Sequence, residues 1–175
     1  DYDDDFTIMT WVRAEAYDDG AIIAKGRNSS NKYQYYLYLT SYSGHMYPIF
    51  YIGNGYLGSY ESGGVGVFID GLFHQIVVSH VAGTGTYLYI DGKLSQYSTN
   101  GDVRDADVDV TIGARFNSNG TTAAFFYDGW IGEVAAWKDS ALSQAEVWEI
   151  FNNGASDFDL TTNSGDYASA SNLQA

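Results

Sequence analysis

Carboxylates are the side chains of this sequence most able to do chemistry. The 175 residues contain 22 Asp and Glu against 8 Lys and Arg, which gives a net charge of −14. A glycosidase uses two carboxylates about 5–10 Å apart that flank the scissile bond. The glutamates are few and scattered, at Glu15, Glu61, Glu133, Glu146 and Glu149. Glu133 has no acid two or three residues away, and Glu146 fits the start of a helix. We therefore expect no catalytic carboxylate pair.

Histidines and hydroxyls are the next candidates for catalysis or metal binding. His74 and His80 fall on the same side of one predicted strand, but six residues at ~3.3 Å each place them about 20 Å apart. They cannot share one metal ion or one substrate atom. His45 lies in a predicted loop, where a histidine is most often solvated. A Ser-His-Asp site stays open at this level. The chain has no Cys, so thiol nucleophiles, thiolate metal sites and disulfides are excluded.

Phosphate-bearing ligands are disfavoured by the charge and by the one motif that suggests them. Nucleic acids and anionic membranes attract clustered Lys and Arg, and the eight present here are widely scattered. Gly53–Gly58 fits G-x-G-x-x-G, but the residues after it show no helical periodicity and hence no helix N-terminus for a pyrophosphate. No stretch approaches the ~20 apolar residues of a membrane span. We expect neither nucleic acid nor a membrane as partner.

Short strands and tight turns must position the candidate residues. Twenty Gly, one Pro and many short runs of Tyr, Val, Ile and Thr are typical of an all-β domain. The pattern predicts nine strands, at about 6–14, 21–27, 33–42, 47–53, 73–82, 86–91, 93–97, 108–115 and 124–137. It predicts one helix over about 144–153, because Ser143 and Glu146 form a capping box. Val147, Ile150 and Phe151 give this helix one apolar face for packing on a sheet.

Alternation of side chains assigns the faces of two strands. In strand 33–42 the two sets are Tyr33, Tyr35, Leu37 and Leu39 on one face, and Tyr36, Tyr38, Thr40 and Tyr42 on the other. In strand 86–91, Leu88 and Ile90 oppose Tyr87 and Tyr89. We expect each leucine face to be core and each opposite face to be an outer tyrosine surface. Asp91-Gly92 predicts a type I′ hairpin turn after the second strand.

Four segments, in order, resemble one known family. Phe6–Val12 (FTIMTWV) and Ala21–Gly26 (AIIAKG) are similar to the opening strands of laminin G-like, concanavalin A-like jelly-roll domains. Phe73–His80 (FHQIVVSH) with Leu88–Leu94 (LYIDGKL) resembles a central hairpin, and Asp128–Trp137 with Leu142–Val147 resembles the closing strand and helix. The resemblance implies an all-β fold: a two-sheet antiparallel jelly-roll β-sandwich with one short surface helix near the C-terminus. It also implies a structural role for His74.

The resemblance sets the domain boundaries and has two departures. The family usually has a strand before Phe6 and a Trp at the position of Phe73. We expect residues 1–154 to be the laminin G-like domain and 155–175 to be an extended tail, which packs on the domain or leads to a missing segment. We expect the chain to be a processed product or a piece of a longer protein, with its sheet edge completed by the tail or by a neighbouring chain. Tyr167–Leu173 is similar to the segment located after this domain in structural proteins of marine phages.

Aromatic residues outside the core are the candidates for ligand binding. Rings stack on the apolar faces of sugars, while neighbouring Asn and Asp satisfy the hydroxyls. The predicted ligand-binding residues are Tyr36, Tyr38, Tyr42, Tyr87, Tyr89 and Trp130. The resemblance implies that Trp11, Trp137 and Trp148 pack inside. The alternative is that the tyrosine faces contact neighbouring subunits, where Tyr is equally common.

Calcium is the one metal that the resemblance implies. Asp105, Asp107 and Asp109 alternate, but an EF-hand wants Gly and Glu where this chain has Val110 and Phe116. Many laminin G-like domains instead hold one calcium ion at the sandwich rim with Asp or Asn side chains and loop carbonyls. The candidates by loop position are Asp18, Asp19, Asp102, Asp105, Asn117 and Asp128. The alternative is a solvated acidic surface.

These observations predict a non-catalytic recognition module. Its expected partner is a glycan or glycoprotein, bound in a lectin-like way, and its expected location is extracellular or on a virion surface. The alternative function is a virion structural or decoration protein, in which the tyrosine faces contact other copies or neighbouring structural proteins. A glycosidase or lyase of the same fold is the third possibility.

Overall fold

The computed structural model describes residues 4–26, 33–53, 55–58, 69–99, 108–152 and 173–174. No helix in these ranges is both long enough and apolar enough to cross a bilayer. The elements within them are β1 (Phe6–Ala14), β2 (Gly20–Gly26), β3 (Tyr33–Tyr42), β4 (His45–Ile52), β5 (Gly55–Gly58), β6 (His74–Val81), β7 (Gly85–Ile90), β8 (Lys93–Ser98), β9 (Val110–Ile112), β10 (Arg115–Phe116), β11 (Ala123–Ala124), β12 (Gly129–Lys138), α1 (Gln144–Asn152) and β13 (Leu173–Gln174).

Two antiparallel sheets make the sandwich. The six-stranded sheet has the order β13-β12-β1-β6-β7-β8, and the five-stranded sheet has the order β5-β4-β3-β2-β9. A small third sheet pairs β10 with β11. Strands distant in sequence are neighbours in both large sheets, so the fold depends on long-range pairing. The predicted antiparallel jelly-roll β-sandwich with one helix near the C-terminus is confirmed.

The main core lies between the sheets and follows the alternation of the strands. Leu37 and Leu39 of β3 and Leu88 of β7 are fully buried there, as the sequence predicts. Phe50 joins them from β4, where it lies opposite Leu37. Burying a side chain of this kind stabilises the fold by about 1.5–3 kcal/mol. The faces of β3 and β7 are therefore set by the burial of their leucines.

Helix α1 covers part of the outer face of the six-stranded sheet. Val147 and Ile150 are buried against Met9 and Trp137 in a second apolar cluster. The predicted capping box is confirmed, because the Ser143 backbone N–H donates to Glu146 Oε2 at 2.7 Å. The six-stranded sheet thus has both faces buried where the helix lies, whereas Trp130 and Phe73 at one end of it are exposed.

Strand ends depart from prediction where the backbone takes a positive φ. The expected strand 108–115 is wrong as one element, since Gly113 (φ 75°) separates β9 from β10. The expected strand 124–137 begins only at β12, after Phe125 (φ 59°). The second half of the glycine motif forms β5, and the residues after it, where a nucleotide site would need a helix, lie outside the described residues.

The edge strand β12 gains a partner from the C-terminal tail. Leu173 and Gln174 of β13 pair with Trp137 and Ala136. The rest of the predicted tail, and most of the residues that define its boundary at 154, lie outside the described residues, so the domain boundary stays a prediction.

Candidate functional site

Four tyrosines form a row of stacked rings on the outer face of the five-stranded sheet. We call Tyr33, Tyr36, Tyr38 and Tyr51 the tyrosine stack. The ring centroids of Tyr36 lie 4.8 Å from those of both Tyr33 and Tyr38, and 6.1 Å from that of Tyr51. Tyr36 and Tyr51 are cross-strand partners on β3 and β4. The prediction that Tyr36 and Tyr38 lie on the face opposite the leucines is confirmed.

The tyrosine stack is partly covered by the chain itself. Phe125 beside β11 meets Tyr36 and Tyr38 edge-on, at 6.4 and 6.0 Å. Its carbonyl accepts a hydrogen bond from the Ala21 N–H, which holds this segment over β2. Tyr36 is only 4% exposed, and its burial raises the pKa of its hydroxyl. The prediction of an exposed ring is therefore wrong for Tyr36, while Tyr38 is half-buried.

Tyr42 and the tyrosines of β7 have different surroundings. Tyr42, at the end of β3, is 59% exposed. Tyr89 is only 4% exposed, because it packs in the cluster under helix α1, so the prediction of an exposed ring is wrong there too. Tyr87 is half-buried, and its ring lies 4.6 Å from that of Tyr97. The six predicted ligand-binding residues therefore do not form one surface.

Trp130 belongs to an exposed cluster at the end of the six-stranded sheet that helix α1 leaves uncovered. Arg13 of β1 is the cross-strand partner of Trp130 on β12, so both side chains point to the outer face. Phe73 directly precedes β6, whose His74 pairs with Val12, and so reaches Arg13 from the other side. The Arg13 guanidinium lies 5.2 Å from the Trp130 ring centroid and 5.3 Å from the Phe73 ring centroid. We call Arg13, Glu15, Phe73 and Trp130 the tryptophan platform.

Glu15 joins the polar groups of the platform. Its Oε1 accepts hydrogen bonds from Trp130 Nε1 at 2.6 Å and from Arg13 Nη2 at 3.0 Å. The hydrogen bond from Trp130, and then that from Arg13, lower the pKa of the Glu15 carboxyl. Trp130 is 56% and Phe73 44% exposed. The arrangement offers ring surface next to fixed donors and acceptors, which is the chemistry that a sugar needs.

Sequence analysis identified Trp130 but missed the rest of the platform. Arg13 lies near the end of β1, and Glu15 directly follows that strand. Alternation puts Arg13 on the same face as Trp11 but does not show that this face meets Trp130. Phe73 stands where the family usually has Trp, which was a signal for an aromatic surface at this point. Trp137 is buried as expected, but Trp148 is 42% exposed, so its predicted inside position is wrong. Its ring lies against Gly92 in the turn after β7 and 5.9 Å from the ring of Phe151.

His74 binds two carboxylates. Its Nδ1 lies 2.8 Å from Asp91 Oδ2, and its Nε2 lies 3.1 Å from Asp70 Oδ1. Asp91 has φ 49° and Gly92 φ 73°, as the predicted I′ turn requires. The hydrogen bond to Asp91, followed by that to Asp70, raises the pKa of His74. His74 thus ties the turn between β7 and β8 to the loop before β6, which is a structural role.

The calcium candidates do not form a cluster in the described part of the chain. Within the described ranges, no group of three or more His, Asp or Glu side chains is arranged so that it could hold a metal ion. Asp19 Oδ1 accepts from the Ser41 N–H at 2.7 Å, and Asn117 Oδ1 accepts from the Asn119 N–H at 3.2 Å. Asp18 and Asp128 complete the described candidates, while Asp102 and Asp105 lie outside. The described residues alone therefore do not fit a calcium site, and calcium binding stays a prediction.

Comparison with known proteins establishes the family. A family model described as the concanavalin A-like lectin/glucanases superfamily matches residues 1–148. The chain therefore belongs to this superfamily. The comparison with curated proteins gives no match.

Solved structures show the same fold at low sequence identity. A heptameric SAP-like pentraxin from Limulus polyphemus has a TM-score of 0.65 and 14% identity, covering 84% of this chain and 69% of the pentraxin. A candidate carbohydrate-binding protein from Bacteroides ovatus also scores 0.65 at 14% identity, over 91% of this chain but only 43% of its own. The CBM40 of Ruminococcus gnavus IT-sialidase, bound to α2,3-sialyllactose, scores 0.62 at 13% identity, over 85% and 83%.

Proposed function

We propose that this chain is a non-catalytic carbohydrate-binding module whose tryptophan platform binds saccharide outside the cell. The observation that carries the proposal is the exposed Trp130 ring held beside Arg13 and Glu15. Its indole N–H and the guanidinium both donate to one carboxylate oxygen, so the ring orientation is fixed before a ligand arrives. Preorganised groups bind more tightly because less conformational entropy is lost on binding.

The platform suits a neutral sugar. The charges of Arg13 and Glu15 offset each other in one ion pair at 3.0 Å. Glu15 keeps its second carboxylate oxygen to accept from sugar hydroxyls, and Arg13 keeps further N–H groups to donate. The C–H face of a pyranose stacks on Trp130, with Phe73 as a second apolar contact. Membership of a superfamily that includes lectins supports a carbohydrate ligand.

Burial of two tyrosines weakens the alternative that the tyrosine faces contact other subunits. Tyr36 and Tyr89 are each covered by this chain's own segments, by Phe125 in one case and by helix α1 in the other. A ring covered within the chain cannot also form the surface of a subunit contact. A role on a virion surface stays a prediction.

A glycan array followed by calorimetry with the best neutral ligand tests the proposal. We expect Trp130→Ala to weaken that binding at least about tenfold, because exposed Trp residues dominate such contacts. The matched control is Trp148→Ala, which removes another half-exposed indole away from the platform and should leave the affinity unchanged. Equal affinities of wild type and Trp130→Ala, or no neutral glycan bound by the wild type, would refute the platform.

The same array tests the calcium prediction. A calcium-dependent site loses glycan binding in EDTA and regains it when calcium chloride is added back. Binding that is unchanged in EDTA contradicts the calcium prediction and leaves the platform proposal standing, because Arg13, Glu15, Phe73 and Trp130 need no ion between them.

A further inference from the structure

A cleft of about 650 Å³ lies between the two large sheets, near the β9 edge of the sandwich. Strand β9 and the end of β2 form one wall, and the start of β1 and the end of β12 form the other. Its apolar lining includes Ile8, Ile23, Val110, Ile112 and Val134. Small-molecule sites have volumes of about 300–1,000 Å³ and mostly apolar walls with a few polar groups. The cleft has the size and the apolar walls of such a site.

Strand β9 shows that the core is open to solvent at this edge. Ile112 pairs with Ile23, and Val110 pairs with Lys25. Cross-strand partners point to the same face of a sheet, and Ile23 belongs to the main core between the sheets. Val110 and Ile112 therefore face the interior of the sandwich, yet both are exposed. An apolar ligand in the cleft removes this apolar surface from water, which favours binding.

Gln34 gives the cleft a polar group. Lys25 pairs with Tyr35 and Gly26 pairs with Tyr33, so Gln34 is the extra residue of a bulge in β3. A bulge re-aims the side chain of its extra residue, and Gln34 lines the cleft. Its Oε1 is buried and has no hydrogen-bond partner among the described residues. Because a buried acceptor without a donor is costly, this oxygen favours a ligand that donates a hydrogen bond.

The charged residues around the cleft favour a neutral ligand. Three Asp and two Lys line it, namely Asp4, Asp5, Asp139, Lys25 and Lys138. Lys138 Nζ lies 3.9 Å from Asp139 Oδ2, so this lysine already has a carboxylate beside it. A ligand carboxylate meets a local excess of acid, and a ligand ammonium group must lose its water to reach a single amide oxygen. A hydroxyl group donates to that oxygen without bringing a charge into the cleft.

We propose that this cleft is a second binding site, which takes a small neutral apolar molecule with a hydroxyl group, such as an aliphatic alcohol. The hydroxyl donates to Gln34 Oε1, and the hydrocarbon part covers Val110 and Ile112. The tryptophan platform lies on the outer face of the six-stranded sheet, whereas the cleft lies between the sheets. The two sites share no residue, so the loss of one leaves the other intact.

Amide NMR titration of the whole chain with 1-octanol, 1-methoxyheptane and octanoate tests the second site. The ether has the same number of heavy atoms as the alcohol but cannot donate a hydrogen bond, and octanoate carries a charge. We expect 1-octanol to bind at least about fivefold more tightly than either, because only its hydroxyl satisfies Gln34 Oε1 without a charge. The amide shifts should fall at Val110 and Ile112. Equal affinity for the ether or octanoate, shifts confined to other residues, or no binding of 1-octanol overturns the proposal.

Variants assign the binding to the cleft. Ile112→Trp fills space in the cleft and should weaken 1-octanol binding at least about tenfold. Leu94→Trp is the matched control, because Leu94 is also an exposed aliphatic strand residue but lies on β8 of the other sheet. It should leave the affinity unchanged.

Gln34→Leu tests the polar contact separately. It removes the acceptor, so the preference for 1-octanol over 1-methoxyheptane should disappear while the ether still binds. A merely structural role for Gln34 predicts that both ligands weaken by the same factor. Wild-type affinity in Ile112→Trp, or an unchanged preference in Gln34→Leu, overturns the assignment.

Discussion

Asp91 joins the turn after β7 to the strand that carries His74. Its Oδ1 accepts from the Gln75 backbone N–H at 2.9 Å, and its Oδ2 bonds His74 Nδ1 at 2.8 Å. Its own N–H donates to the Gln75 carbonyl at 3.0 Å. Since Phe73 directly precedes His74, the same contacts support one wall of the tryptophan platform. We predict that Asp91→Ala destabilises the protein much more than Asp91→Asn.

The structure gives the size of the difference. In Asp91→Ala the Gln75 N–H, which belongs to a fully buried residue, is left unpaired, at a cost of about 1–3 kcal/mol. Alanine at φ 49° adds about 1 kcal/mol, because Asp and Asn tolerate the left-handed region better than Ala. Asparagine keeps the φ and an acceptor for Gln75, and loses only the charge beside His74, for about 1 kcal/mol. Alanine also loses the bond to His74, for about 1 kcal/mol more, so the total is about 3–5 kcal/mol for Ala against about 1 for Asn.

The dependence on pH provides a second measurement. The pKa of His74 lies above its ordinary value of 6.5, so its protonated form binds more strongly in the folded state. This stabilisation is fully present below the unfolded-state pKa and is lost as the pH rises through the folded-state pKa. The wild type should therefore be more stable to urea at pH 6 than at pH 8.5. Asp91→Asn should reduce that difference, because Asp91 is the largest cause of the raised pKa.

Both predictions are tested by measuring the free energy of unfolding in urea at pH 6 and pH 8.5 for the wild type, Asp91→Ala and Asp91→Asn. His74→Gln is the control, because it removes the titrating group. Equal losses of stability for Asp91→Ala and Asp91→Asn would show that the Gln75 hydrogen bond and the backbone conformation carry no cost. An unchanged pH dependence in His74→Gln would place the titration at another group.

Three further predictions concern stability and are measured by urea or thermal unfolding. Phe50→Ala, which empties a fully buried position between the sheets, should cost about 3–5 kcal/mol, and a loss below 1 kcal/mol would contradict close packing there. Gly20→Ala should cost about 2–3 kcal/mol, because the new Cβ would lie 2.6 Å from Tyr127 Cα. Gly44→Ala should cost about 1 kcal/mol, because the Cβ meets open space but the backbone has φ 78°. A larger loss for Gly44→Ala than for Gly20→Ala would show that backbone strain outweighs steric contact. Ser143→Ala should cost about 1 kcal/mol through the lost helix cap, and no loss would mean that Glu146 alone holds the helix start.

Much of the fold is set by local sequence pattern. The bounds of β1 and β3 agree with prediction because alternation and turn residues mark both ends. Helix α1 agrees within one residue, since its capping box and apolar face are local features. Prediction from side-chain alternation fails where an irregularity interrupts the strand pairing. Tyr33 was expected beside Leu37 but stacks on Tyr36, because the pairing of β2 with β3 shifts register between Lys25 and Gly26.

Site residues were predicted less well, because exposure depends on segments far away in the sequence. Alternation placed Tyr36 and Tyr89 on outer faces, and both lie there. It could not show that Phe125 covers the first and helix α1 the second. Each covering segment is more than 50 residues away in the sequence, so no local pattern carries the information.

The sequence by itself determined the class of fold, the helix and the leucine core, because these depend on periodicity, capping and turn chemistry within a few residues. Only the tertiary structure decided which aromatic rings face solvent and that Trp130 joins Arg13 and Glu15. Cross-strand pairing brings Trp130 to Arg13 over more than 100 residues, and the segment after β10 brings Phe125 over Tyr36. Binding surfaces arise from such long-range contacts, since a ring binds a ligand only where the rest of the chain leaves it uncovered.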